Sequence, residues 1–295
     1  MIRRFAALPP ALRGGLWMMA AALSFTLMTT LIREAARDVH PFEIAFFRTV
    51  TNLVLMVPFV LRTGLAVLRT SNHRIYALRG VIGLTFLMTY FPGAALIPVS
   101  DAQALIFTSP LFASIMAVLF LGEVVRARRI AALIAGFAGA LVILRPGVQD
   151  VSVGAVLVLV AAMANASSNV IVRHTTRSDH PDMAVLYLMI YVTPMSLVPA
   201  LFVWTAPSWT QAALMVGVGV FATLNQRFLS RAFHVAEATA VLPFDFARLA
   251  FAAVIGWIAF SELPDIWVWV GGAIIFVASV YLAHRESVAR RAGRA

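Results

Sequence analysis

Apolar runs of about twenty residues recur along the chain, each bounded by charge, proline or glycine, and this is the length a helix needs to cross a ~30 Å hydrocarbon layer. The pattern predicts ten membrane spans, at 14–32, 42–61, 78–97, 102–121 and 130–144, then 153–172, 184–204, 211–228, 238–260 and 266–282. Connections between the runs are short, with no soluble domain, linker or low-complexity segment. Any chemistry therefore takes place within the bilayer or at its faces.

The two sets of five spans resemble each other. His40-Pro41 opens the second span and His180-Pro181 the seventh, an offset of 140. YFPGAALIPVSDAQAL from Tyr90 aligns with QRFLSRAFHVAEATAV from Gln226, matching Asp101 with Glu237 at an offset of 136. FTSPLFASIMAVLFLGE from Phe107 aligns with FARLAFAAVIGWIAFSE from Phe246, matching Glu123 with Glu262 at 139, so a three-residue insertion is expected between these blocks. Five spans is an odd number, so the second copy enters the membrane from the opposite face. The fold expected is all-α and integral to the membrane, ten helices in two inverted five-helix repeats: a tail at 1–13, repeats at 14–145 and 151–284, and a tail at 285–295. Inverted repeats suit a carrier, because two similar halves can exchange conformations and turn an inward-facing cavity outward.

Charge sets the orientation. All 23 Lys/Arg positions are arginine, and eighteen fall on the side of the N-terminus. Only Arg33, Arg37 and Arg145 fall opposite, while Arg48 and Arg248 lie inside spans. This bias expects both termini in the cytoplasm of a bacterial-type inner membrane. The segment MIRRFAALPPALRGG lacks a continuous apolar core with a small-residue cleavage site, so it is read as a mature tail.

Composition reinforces the picture: 61% hydrophobic residues against 12% charged and a mean hydropathy of +0.90, where soluble domains average about 45–50% apolar and 25% charged. Without cysteine there is no disulfide, thiolate nucleophile or cysteine-ligated metal. The net charge of +10 sits in short gaps rather than on one face, which speaks against a nucleic-acid partner. No GxxxxGK[ST], HExxH or GxSxG occurs, and the histidines lie at span ends or in loops, so neither ATP-driven transport nor intramembrane catalysis is expected. We expect no catalytic residues, cofactor or metal. A channel, the rival reading, calls for a ring of like charge or a carbonyl filter, and neither is visible.

Phe47-Arg48, Pro98-Val99-Ser100, Pro110, Leu121-Gly122-Glu123 and Phe260-Ser261-Glu262, set in a five-plus-five arrangement from about Gly14 to His284, resemble the EamA branch of the drug/metabolite transporter superfamily, near YddG-type amino-acid exporters. The resemblance implies a secondary carrier, mostly exporting amino acids and related metabolites by alternating access. It also implies a cavity lined by the first, third and fourth spans with the sixth, eighth and ninth. Broad drug or cation efflux is the alternative within the superfamily.

Ionisable residues at mid-bilayer cost about 2.5–3.5 kcal/mol on insertion scales, so they face a cavity or a partner. In the ninth span Asp245 and Arg248 stand three residues apart on one face, about 15 Å into the membrane. They are the leading candidates to engage a zwitterionic cargo. Arg48 is expected to dock on a carboxylate or on carbonyls. Asp101, Glu237 and Glu43 sit in first turns, where the helix dipole favours a carboxylate, and Ser100 with Gln103 has capping-box spacing. Local arginines or amides are expected to hold Glu123 and Glu262. Asn165 with Asn169, and Thr85 with Thr89, share helix faces and are cavity candidates, as are Tyr90, Asn225 and Trp17. Pro110 and Pro243, in corresponding helices, are candidate hinges. The partners expected are an amino-acid-like small molecule and the lipid bilayer, with no obligate protein partner.

Overall fold

The structure is a computed structural model that describes residues 9–63, 70, 72–121, 127–145, 150–175, 181–236 and 238–292. The described residues are helical, without a strand. The first half contains α1 (Pro10–Ala35), α2 (Pro41–Thr63), α3 (His73–Leu96), α4 (Val99–Ile106), α5 (Ser109–Leu121) and α6 (Ala127–Leu144). The second contains α7 (Val153–Thr175), α8 (Pro181–Leu201), α9 (Trp209–Val235), α10 (Ala238–Asp245), α11 (Ala247–Phe260) and α12 (Ile266–Ala292). Six stretches are long and apolar enough to cross a membrane, and the shorter apolar helices Ile130–Leu144, Val185–Leu201 and Ile266–Tyr281 accompany them. Helix α2 packs against α3, α8 and α9.

The fourth and ninth spans are each broken in two. α4 ends at Ile106 and α5 begins at Ser109; α10 ends at Asp245 and α11 begins at Ala247. Pro110 lacks the N–H that would bond Ile106, and Pro243 lacks the one that would bond Thr239, so each break has a missing backbone donor beside it. The halves correspond closely here: α4 and α10 are eight residues each, offset by 139 at both ends, and α5 and α11 begin at an offset of 138 and end at 139. These helix ends leave no room for the three-residue insertion expected between the two blocks and set Asp101 opposite Ala240 rather than Glu237, which lies outside the described residues.

Contacts cross between the halves. α1 lies along α9 as α3 lies along α7; α2 meets α9 as α8 meets α3; α2 pairs with α8 and α6 with α12. Helices in lipid gain little from apolar burial and depend on close approach, and glycine permits it. A Cβ on Gly93 would lie 2.9 Å from the Gly154 carbonyl oxygen, and one on Gly271 would lie 2.5 Å from that of Gly139.

Local signals hold in some places and yield to tertiary contacts in others. Helix α4 begins after Pro98 with no side-chain cap; the Ser100 hydroxyl turns to Asp101 and Gln103 reaches Thr29. A capping box does form, between Ser208 and Gln211 at the start of α9. Arg79, at the start of the predicted third span, is buried inside α3, with Nε donating to Ser168 of α7 at 3.1 Å.

Candidate functional site

The two breaks meet at the centre of the molecule. Phe107, at the first, and Phe246, at the second, stack on each other with ring centroids 6.3 Å apart and planes 25° apart. Beside them Arg248 donates to both oxygens of Asp245, at 2.8 and 3.1 Å, with side chains only 13% and 16% exposed. The guanidinium carbon sits 4.6 Å from the Phe25 ring centroid and 5.2 Å from that of Phe107. An arginine stacked on two rings and paired with a carboxylate is held in one orientation, and its Nε, closed off from solvent, has no acceptor.

Tyr90 closes the other side. Fully buried, it stacks on Phe86 at 5.2 Å with planes 8° apart and lies 5.7 Å from Phe25. Its hydroxyl is 2.8 Å from the Thr29 hydroxyl, which accepts from Gln103 Nε2 at 2.9 Å. The centre is therefore an aromatic enclosure of Phe25, Phe86, Tyr90, Phe107 and Phe246 around one ion pair and a chain of three polar side chains. Rings and an oriented pair of opposite charges suit a small molecule with a flat apolar part and a polar head.

The remaining candidates scatter. Asn165 Nδ2 reaches Ser109 Oγ at 3.4 Å, next to the first break, so it borders the enclosure, whereas Asn169 is exposed. Thr85 and Thr89 bond their own helix at Val81 and Thr85. Asn225 donates to the Ala21 carbonyl at 2.9 Å and ties α9 to α1. Trp17 stacks on Phe228 beneath Arg231, two turns of α1 away from Phe25. Pro110 and Pro243 both flank the breaks.

Two buried charges depart from expectation. Arg48 meets neither a carboxylate nor a carbonyl among the described residues; it lies over the Phe91 ring at 5.9 Å. Glu43 does not cap its own helix; Oε2 accepts from the backbone and hydroxyl of Thr205, at 3.3 and 3.2 Å, because the α8–α9 connection covers that end of α2. Glu262 is gripped by both terminal nitrogens of Arg33; an arginine holds it as expected, but it comes from α1 of the other half rather than from nearby in the sequence. Glu123 lies outside the described residues. Phe25 and Phe86 carried no sequence signal, since phenylalanine in a span is ordinary. Phe107 and Phe246 did carry one: each opens its copy of the same repeated block.

The EamA-like transporter family model matches residues 12–145 and 152–283. A riboflavin transporter from Vibrio cholerae is 31% identical over 288 residues, covering 96% of this chain and 97% of that protein. An S-adenosylmethionine uptake transporter from Rickettsia felis is 29% identical, covering 96% of each. A pseudopaline exporter from Pseudomonas aeruginosa is 32% identical, covering 92% of this chain and 96% of that one. One solved structure superimposes with a TM-score of 0.61 at 18% identity, covering 94% of this chain and 98% of the other, and shares the fold. With both halves matched and relatives aligned end to end, the chain belongs to the EamA-like transporter family and is a multi-pass membrane transporter.

Proposed function

We propose that the chain is a secondary carrier that moves a small ring-bearing, charged metabolite by alternating access, with neutral and aromatic amino acids, exported, as the first class. The observation that supports this is the Asp245–Arg248 pair sandwiched by Phe25 and Phe107 where two broken helices meet. The pair offers charges of both signs to a zwitterion, and the rings offer flat surface to its side chain. Asp245, Arg248, Tyr90 and Asn165 are the cargo-facing members of this reading, joined by the four phenylalanines. Pro110 and Pro243 are the flexing points, since a helix already missing a backbone bond bends at low cost. In this orientation both tails face the cytoplasm of the inner membrane.

A larger heteroaromatic cargo is a second reading, favoured by the number of rings in the enclosure and by the flavin and adenosyl compounds named for two of the relatives. A carrier of this kind runs in either direction, so the imposed gradient decides between uptake and export. Proteoliposomes loaded with labelled phenylalanine, tryptophan, riboflavin or ethidium, with and without a proton gradient, separate the readings. Phenylalanine or tryptophan flux supports the first and riboflavin flux alone supports the second. Flux of ethidium alone overturns both.

A further inference from the structure

We propose that Arg48 is the oxyanion receptor of the central site, so that the cargo carries an ionised carboxylate or phosphate. This rests on reading the aromatic enclosure as the cargo site. Four other arginines have oxygen partners: Arg33 has Glu262, Arg79 has Ser168, Arg145 has Asp265 and Arg248 has Asp245, whereas Arg13, at the start of α1, shares with Arg48 a buried Nε without an acceptor. Arg48, about a third of the way along α2, has none among the described residues, and its Nε is shut off from solvent without an acceptor.

Neither of two candidate acids bonds Arg48. Glu43 is on the same helix, but five residues place it about 140° around the axis; its Oε2 accepts from Thr205 and its Oε1 is buried without a partner. Asp245 is taken by Arg248. Among the described residues, Arg48 and Arg248 thus stand against the one carboxylate of Asp245. A guanidinium within the bilayer is retained when a partner or an aqueous cavity compensates it, and its planar fork matches an oxyanion with two parallel bonds.

Its position joins it to the enclosure. Arg48 stacks over Phe91, which meets the Tyr90 ring at 6.3 Å. A cargo whose ring lies by Tyr90 and Phe25 presents its acidic group to Arg48 and any ammonium to Asp245. Arg248 then acts as a fixed wall, already neutralised and stacked, and the free fork receives the acid.

The test uses the purified full-length protein and three probes of matched ring, phenylacetate, phenyl phosphate and phenylacetamide, read by the shift in thermal unfolding midpoint across a concentration series. The wild type is expected to bind one or both acids at least about tenfold more tightly than the amide, the scale of a hydrogen bond to a charged group. Arg48→Gln is expected to abolish that preference. Arg48→Lys, which keeps the charge and serves if the glutamine variant does not fold, is expected to retain part of it. The ratio between the two acids names the oxyanion. Acids and amide binding alike in the wild type, or acids preferred equally by Arg48→Gln, overturns the assignment while leaving the enclosure as cargo site. No binding by any probe overturns both. Arg48-dependent binding of an acid that the protein does not transport keeps the receptor and removes the cargo reading.

Discussion

Arg33, near the end of α1, holds both oxygens of Glu262 with its two terminal nitrogens, and Phe260 lies beneath the same guanidinium at 4.5 Å. Glu262 follows Ser261, the residue that ends α11 in the left-handed conformation with φ 58°, and this turn aims the carboxylate back at α1. The first helix of one half is thereby fastened to the ninth span of the other, at the face opposite the N-terminus.

The fastening predicts a conformational effect rather than a fold defect. The side chains are 18% and 34% exposed, and ion pairs open to solvent contribute about 1 kcal/mol or less. Glu262→Gln should leave folded yield unchanged and alter the share of molecules closed at that face. Cysteines placed at 33 and 262, in a chain with no native cysteine, should be joined by a bifunctional thiol reagent. Joining them should stop transport, and full transport by the crosslinked protein would contradict a moving contact.

Glycine contacts between the halves predict a stability ranking. Gly271→Ala should lower the thermal midpoint in detergent, with a cost on the order of 1–3 kcal/mol for overpacking, because a carbonyl oxygen cannot move aside. Gly93→Ala should do the same. Gly256→Ala meets nothing closer than 3.9 Å and should be neutral.

The central pair separates binding from support. Removing one partner of a buried pair costs about 3–5 kcal/mol, so Asp245→Asn and Arg248→Leu should each reduce folded yield. Replacing both by leucine removes the unpaired charge and should restore folding. A folded double variant that fails to transport supports the cargo role; normal transport by it ends that reading.

Tyr90→Phe keeps the ring stack on Phe86 and removes one hydrogen bond at the Thr29 hydroxyl, which keeps its bonds to the Phe25 carbonyl and to Gln103, at a cost of about 1 kcal/mol. Transport KM should rise severalfold with little change in folding. An unchanged KM would make the Tyr90 hydroxyl purely structural.

Orientation is tested by impermeant thiol labelling. Cysteines introduced in the N- and C-terminal tails should react only after the cells are permeabilised, and labelling in intact cells would reverse the topology.

The sequence determined what depends on local order. Runs of apolar residues demand backbone bonding within each segment once in lipid, so span number and helical character follow directly, and the repeated blocks carry the two-half plan and the family. Tertiary structure decided the rest. Hydropathy reads straight through 102–121 and 238–260, yet both spans break at Phe107 and Phe246, where the halves stack on one another. Asp245 and Arg248 were legible as a pair because three residues bring them onto one face. That Phe25 from α1 and Phe107 from the first break sandwich them was not, since those rings are brought in from distant parts of the chain. Trp17, Thr85 and Asn225 have the right chemistry, but the rotation of α1, α3 and α9 sends them elsewhere. Arg48 shows the limit most sharply: its charge is written in the sequence, but only the packing of α2 against α3, α8 and α9 leaves that charge without an acid among the described residues.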